Sequence, residues 1–185
     1  MMTKAAIRAL VKTRRKLAAC DKTDSAAGAL LQGVLSLAAW HNARNPCIYV
    51  SMPDEAPTQA LLAACFEKGS DVIVPRISGG KMFLHRVNSL DGFVPGKFGI
   101  SEPPATLPSC APADVDCVVV PGVAFDGWGG RVGHGKGYYD KFLAQIPTVP
   151  RMALAYDWQI FPRVPTDEHD IRMDWIITPS TVICV

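Results

Sequence analysis

Arg131, Lys136 and Asp140 share one glycine-rich stretch, and their spacing points to phosphate chemistry. Residues 120–142 read V-P-G-V-A-F-D-G-W-G-G-R-V-G-H-G-K-G-Y-Y-D-K-F. Gly133, Gly135 and Gly137 let the backbone approach an anion and take positive φ. Amides turned inward, with a helix start behind them, supply donors and positive potential. Arg131 and Lys136 add two charged donors. Asp140, just beyond, could hold a divalent cation. The pattern is G-x-G-x-G, and neither G-x-G-x-x-G nor G-x-x-x-x-G-K-[ST] is present. A flexible loop closing an α/β unit would carry the same glycines. The cations and the acid separate the two readings.

A nucleoside-triphosphate ligand needs phosphate donors, a divalent cation and a carboxylate to hold that cation. Mg²⁺ is usually bound by one or two carboxylates together with phosphate oxygens and waters. Asp140 is the nearest carboxylate, and Asp174, at the start of a terminal strand, is a second. Either could instead be ordinary, Asp140 complementing a helix dipole and Asp174 sitting at a strand edge. Glu55 follows a strand end. It can accept from an amide or pterin-like donor or take part in acid–base work, or it can be a solvated loop acid. The four histidines have no metal-ligand spacing, and His134 reads as a rim residue. No serine elbow, Cys–His pair or zinc cluster is present. Met82 and Phe98 could wall an aromatic ligand or belong to the core.

These groups need elements to position them. Residues 3–19 have apolar positions at helical spacing, Ile7, Leu10, Val11 and Leu17 among them. Lys4, Arg8, Lys12 and Lys16 form an i, i+4 row on another face. Like charges so placed destabilise a helix slightly, so an anionic partner competes with a merely solvated face. Asp24 or Ser25 can cap a second helix to about residue 41. Residues 47–52 read as a strand, and Thr58 as the cap of a helix to about residue 68. Residues 71–77 and 81–87 read as strands joined by Gly79-Gly80. Residues 88–114 have no strong periodicity, which suggests a functional loop or lid. Residues 117–121 and 151–156 read as strands, 138–146 as a helix, 157–172 as a loop, and 174–178 and 181–185 as short strands. Apolar strands alternating with helices imply one α/β domain over residues 1–185. Its open, mostly parallel sheet has helices on both faces, a Rossmann-like three-layer arrangement. Ligands bind such sheets at the carboxyl ends of the strands.

Bulk composition narrows the classes. Residues 1–20 carry six cations and no acid against a whole-chain net charge of +2, which leaves −4 for the rest. That balance suggests a local anion site rather than a nucleic-acid coat. The six cysteines form no C-x-x-C, so they read as free, mostly buried thiols in a reducing compartment. No stretch reads as a membrane span or a secretory signal. The basic start resembles a transit peptide, but an anion site uses the same residues better.

The stretch G-G-R-V-G-H-G-K-G-Y-Y-D at residues 129–140 resembles the hallmark R-L-G-x-G-x-G-Y-Y-D of the 5-formyltetrahydrofolate cyclo-ligase family. Further motifs are similar to that family's in order. They are Lys4-x-x-x-Arg8, Y-V-S-M-P-D-E at 49–55, F-G-I-S-E-P at 98–103, P-G-V-A-F-D at 121–126 and E-H-D-I-R-M-D at 168–174. The resemblance covers nearly the whole chain, with Val132 at the common Leu. It implies ATP-driven closure of 5-formyltetrahydrofolate to 5,10-methenyltetrahydrofolate, releasing ADP and phosphate, by way of a phosphorylated formyl oxygen. It implies that ATP is held by Lys4, Arg8, Arg131, Gly133, His134, Gly135, Lys136, Gly137, Tyr138 and Tyr139. Arg131 and Lys136 would hold the phosphates through transfer. Asp140 and Asp174 would hold Mg²⁺. Val50, Glu55, Met82, Phe98 and Tyr139 would contact the folate. The implied partners are ATP and a reduced folate, with no nucleic acid or membrane, for a cytoplasmic monomer. A non-catalytic relative binding nucleotide or RNA on the same fold is the competing reading, since fold alone does not fix function.

Overall fold

The computed structural model of the chain describes residues 2–18, 24–96 and 101–185. In chain order the helices are α1 (Lys4–Leu17), α2 (Asp24–Leu35), α3 (Ala38–His41), α4 (Gln59–Glu67) and α5 (Tyr138–Leu143). The strands are β1 (Pro46–Ile48), β2 (Val72–Ser78), β3 (Lys81–Val87), β4 (Val94–Pro95), β5 (Ser101–Glu102), β6 (Ser109–Cys110) and β7 (Cys117–Val120). Then come β8 (Ala124–Asp126), β9 (Arg131–Val132), β10 (Arg151–Leu154), β11 (Ile160–Phe161), β12 (Trp175–Ile177) and β13 (Val182–Cys184).

The main sheet has eight strands in the order β13-β12-β10-β7-β1-β2-β3-β6. The run from β2 through β1, β7 and β10 to β12 is parallel. Antiparallel partners close both flanks. In β7, Cys117 and Val119 pack with Leu30, Val34 and Leu62 of α2 and α4. Val118 and Val120 pack with Phe142 and Leu143 of α5. A two-residue alternation inside an unbroken apolar run therefore serves two cores. This is the expected three-layer α/β sheet. From β1 the chain moves to β2 on one side, then returns to β7 on the other. The carboxyl ends of β1 and β7 thus flank a topological switch point.

Several elements differ from expectation. The second helix stops at Leu35, where Ser36 Oγ donates to the Gly33 carbonyl at 2.7 Å, and Leu37 starts the separate turn α3. The strand expected to reach residue 52 ends at Ile48. Thr58 Oγ1 donates to the Tyr49 carbonyl at 2.7 Å and accepts from the Ser51 amide at 3.1 Å. Thr58 thus ties the strand exit to the start of α4 and makes no side-chain cap. The glycine stretch is more ordered than a loop. β8 and β9 form a hairpin, and β11 joins β8 to make a three-stranded sheet. Gly129 turns that hairpin at φ +77, and a Cβ there would come within 2.5 Å of the Met173 carbonyl. Ile7 and Val11 of α1 pack on this small sheet through Ala124, Val132 and Phe161.

Candidate active site at the switch point of the sheet

Glu55 and His134 come from loops that follow different strands, and they meet at the switch point. His134 Nε2 lies 3.2 Å from Glu55 Oε1. Glu55 is buried, and the Met52 amide donates to its Oε2 at 2.9 Å. The loop after β1 therefore aims its carboxylate at the glycine cradle. On the other side of the cradle, Arg8 Nε donates to the Gly133 carbonyl at 2.8 Å. A Cβ on Gly135, at φ +93, would lie 3.4 Å from that guanidinium. Gly137 caps α5 in the left-handed region at φ +65. The glycines thus provide left-handed backbone and close approach where both are required. Lys136 is exposed, and its side chain makes no hydrogen bond or ion pair among the described residues.

Beneath the cradle, Arg131 is buried. Its Nη2 donates to Asp140 Oδ1 at 2.6 Å and its Nη1 to the Pro121 carbonyl at 3.3 Å. Its Nε is buried without an acceptor. Asp140 Oδ1 also faces the Ile171 amide at 3.5 Å. The Asp140 side chain is 24% exposed, so it can still meet a ligand. Tyr139 lies under the Arg131 guanidinium, 5.9 Å from ring centre to Cζ. Burial pushes its phenol well up, helped by nearby Cys47, Glu55 and Tyr49 and opposed by Arg131. Burial and Glu55 do the same to Tyr49. Both phenols are therefore neutral at physiological pH. Cys117 is also pushed up, to about 12, by burial, which fits a free, buried thiol.

The N-terminal helix is fastened to the cradle by its charges. Lys4 Nζ meets Asp170 Oδ2 at 2.5 Å and Asp167 Oδ2 at 2.7 Å. Burial pulls Lys4 down, but these two carboxylates outweigh it and its pKa is raised. Arg14 donates to the Trp158 carbonyl at 3.0 Å, and Arg15 pairs with Asp54. Part of the acid-free row is therefore neutralised from within the chain. Its acids come from loops far along the sequence.

The predicted site residues separate into groups. Lys4, Arg8, Glu55, Arg131, Gly133, His134, Gly135, Lys136, Gly137, Tyr138, Tyr139 and Asp140 gather around the carboxyl ends of β1 and β7. Val50 is half-buried just past β1, against the core on the α2 and α4 face. Met82, like Tyr139, packs against the core on the α5 face. Phe98 lies outside the described residues. Asp174 is not brought to Asp140. It precedes β12 at the amino edge of the sheet, where Arg151 donates from Nε at 2.9 Å and from Nη2 at 2.8 Å. The Arg151 backbone amide adds a third donor at 2.8 Å. That carboxylate is committed to joining β10 to β12, which corrects its pairing with Asp140 around one ion.

Two positioning residues were missed. Asp126 is buried and accepts from the amides of Gly130, Trp128 and Val164 at 2.9, 3.0 and 2.8 Å. It holds the β8–β9 hairpin to the following loop. Gln159 donates to the Gly122 and Val123 carbonyls, both at 3.0 Å, and accepts from Tyr156 N at 2.8 Å. Asp126 stood in the quoted P-G-V-A-F-D motif. Gln159 had no local signal.

Among the described residues no three His, Cys, Asp or Glu side chains converge as a metal cage. Mg²⁺ bound with a nucleotide needs no such cage. Asp140, partly exposed beside a phosphate-type cradle and with only Oδ1 engaged, fits that mode.

Fold and site together define an α/β protein with a cationic glycine cradle at the switch point of its sheet. The sequence model of the 5-formyltetrahydrofolate cyclo-ligase family matches residues 1–179. A Schizosaccharomyces pombe protein named probable 5-formyltetrahydrofolate cyclo-ligase is 30% identical over 177 residues, 86% of this chain and 87% of its own. The Mus musculus 5-formyltetrahydrofolate cyclo-ligase is 28% identical, covering 94% of this chain and 92% of its own. The NMR structure of Aquifex aeolicus 5,10-methenyltetrahydrofolate synthetase is similar at a TM-score of 0.85 and 32% identity, covering 99% of this chain and 93% of that one. The chain belongs to the 5-formyltetrahydrofolate cyclo-ligase family. No helix among the described residues is long and apolar enough to cross a membrane.

Proposed function

We propose that this chain is an enzyme that cyclises 5-formyltetrahydrofolate to 5,10-methenyltetrahydrofolate at the expense of ATP. Beyond family membership, one observation carries the reading. The loops after β1 and β7 meet at the 3.2 Å contact of Glu55 with His134, between Arg8 and Arg131. A folate on the Glu55 side and a nucleotide on the glycine side would then have their reacting groups adjacent.

In this reading the formyl oxygen attacks the γ-phosphorus and ADP leaves. N10 then attacks the activated formyl carbon, the C–O bond breaks, and inorganic phosphate leaves with the N10 proton. The chain's part is positioning and charge neutralisation. Glu55, already oriented by the Met52 amide, accepts a hydrogen bond from the folate. Val50, Met82, Phe98 and Tyr139 wall its rings. Lys4, Arg8 and residues 133–139 hold the nucleotide. Arg131 and Lys136 follow the phosphoryl group, Arg131 from a buried position where its charge is least screened. Lys4 reaches phosphate only by giving up Asp167 and Asp170. Asp140 would hold Mg²⁺, which neutralises phosphate charge when bound. The protein works as a single domain over residues 1–185, a cytoplasmic monomer acting on small molecules.

The test mixes protein, Mg·ATP and 5-formyltetrahydrofolate and follows the methenyl product by absorbance. Steady product formation that requires ATP is expected. Saturable Mg·ATP binding with no product above a buffer control would leave only a nucleotide-binding relative.

A further inference from the structure

A cavity of about 570 Å³ opens at the amino edge of the main sheet, where β1 and β2 begin and α4 ends. The length of the parallel strands therefore separates it from the cradle. None of the residues gathered at the candidate active site lines it. Its size suits a small ligand. Part of the lining is apolar and buried, with Trp40, Leu61 and Cys65.

The charge of the lining is one-sided. Arg44, Lys68 and Arg86 belong to it, against a single carboxylate, Asp71. That carboxylate already faces Arg86, at 4.0 Å from Nη1. The side chains of Arg44 and Lys68 make no hydrogen bond or ion pair among the described residues, and both are exposed. Beyond residue 20 the chain carries a net charge of −4, so unpaired cations here run against the average of the body. They also stand on fixed backbone. Asp116 accepts from the Arg44 amide at 2.8 Å and from the Asn45 amide at 2.9 Å, which holds the turn before β1. Asn45 Oδ1 accepts from Arg86 Nη1 at 2.7 Å. With that oxygen engaged, the Asn45 side chain offers the cavity only N–H donors. Ser70, just past α4, adds a hydroxyl.

We propose that this cavity binds a small phosphate ester, at a site separate from those for the nucleotide and the folate. Arg44 and Lys68 meet the phosphate, and the apolar lining meets the esterified group. A guanidinium, an ammonium, an amide N–H and a hydroxyl outnumber what one carboxylate can accept. A dianionic tetrahedral head has oxygens for all of them, and charge-assisted bonds to it are the strong kind. The long stem of Lys68 can lie on apolar surface while its charge stays at the rim. The site shares no residue with the cradle, so it does not depend on the proposed cyclisation. Exposed ion pairs are individually weak and screened by salt. Binding is therefore expected in the millimolar range and should weaken at high ionic strength.

The experiment titrates phenyl phosphate into the isotope-labelled full chain and follows the backbone amide signals by NMR. This probe has a dianionic head and an aromatic body and carries no nucleoside. Saturable shifts are expected at Asn45, Ser70 and Arg86. The double variant Arg44→Ala/Lys68→Ala should weaken the affinity read at those amides by about threefold to tenfold. Lys136→Ala, which alters the cradle, should leave that affinity unchanged. Phenol, without the phosphate, should give no saturation. Saturable shifts confined to residues 133–137 would show the probe reading the cradle alone and overturn the site. Shifts that never saturate overturn it, as does an affinity that the double variant leaves unchanged or that phenol matches. If the double variant does not fold, Lys68→Ala alone takes its place, since Lys68 is exposed just past the end of α4. A loss of about twofold then supports the site, and an unchanged affinity overturns it.

Discussion

Arg151 and Asp174 meet at the amino edge of the parallel sheet, and Arg131 and Asp140 meet near its carboxyl edge. The residue types are the same, and the surroundings differ. At the amino edge both Asp174 oxygens take guanidinium donors and one also takes a backbone amide. Such a fork is saturated and holds two strands in register. At the carboxyl edge one Arg131 nitrogen meets one Asp140 oxygen, and Nε stays buried without an acceptor. A buried polar atom left unpaired costs free energy in the fold, and such exceptions cluster at functional sites. The first pair is complete without a ligand. The second has capacity left for one.

Breaking the carboxyl-edge pair should have the largest effect. Arg131→Lys keeps a charge and loses the planar fork. The expected outcome is a fall in kcat of about 10²-fold, measured by product absorbance, with the fold retained by circular dichroism. A kcat within threefold of wild type would remove Arg131 from the chemistry. Asp140→Asn should lower kcat with Mg·ATP by about tenfold or more while the variant stays folded. Excess Mg²⁺ should recover part of the loss, and wild-type turnover would dismiss the metal role.

Asp174→Asn should show the inverse profile. It loses charge-assisted bonds worth about 1–3 kcal/mol of stability, or roughly 2–4 °C in Tm per kcal/mol for a chain of this size. Turnover below the new Tm should stay within about twofold. A deep loss of activity without a Tm change would return Asp174 to the metal site.

The smallest effect belongs to the Lys4 latch. Asp167 is held below its ordinary 3.8, chiefly by the hydrogen bond from Lys4. Its contribution is present above that value and is lost as pH falls through the folded pKa. Lys4 is raised above 10.5, so its contribution is present below 10.5 and is lost at higher pH. Asp167→Asn should therefore lower Tm slightly and evenly between about pH 5 and 9, and the difference should close as pH falls below 3.8. Scanning calorimetry across pH checks this, and a difference that grows toward low pH would contradict the pairing.

Much of this was legible in the residues. The unbroken apolar run C-V-V-V and its neighbours marked a sheet buried on both faces. Its strands alternate with helical spacing, which implied parallel order. Arg131, Lys136 and Asp140 were drawn together by sequence proximity alone. Their order and spacing, with the motifs around them, were also enough to indicate the family. What failed was local. Thr58 stands at the cap position as expected, but its hydroxyl holds the strand exit and makes no capping bond. The second helix was read through Ser36, where its backbone bonds end.

The amino-acid sequence by itself determined the layers, the cationic cradle and the family. These depend on periodicity and on residues close together in the chain. Only the tertiary structure decided which charges are spent and which are left over. Lys4 finds Asp167 and Asp170, Arg15 finds Asp54, and Asp174 finds Arg151. Each partner is remote in sequence, so no local pattern announces it. Charge energetics depend on distance and burial, and both are settled only when the strands are ordered around the switch point.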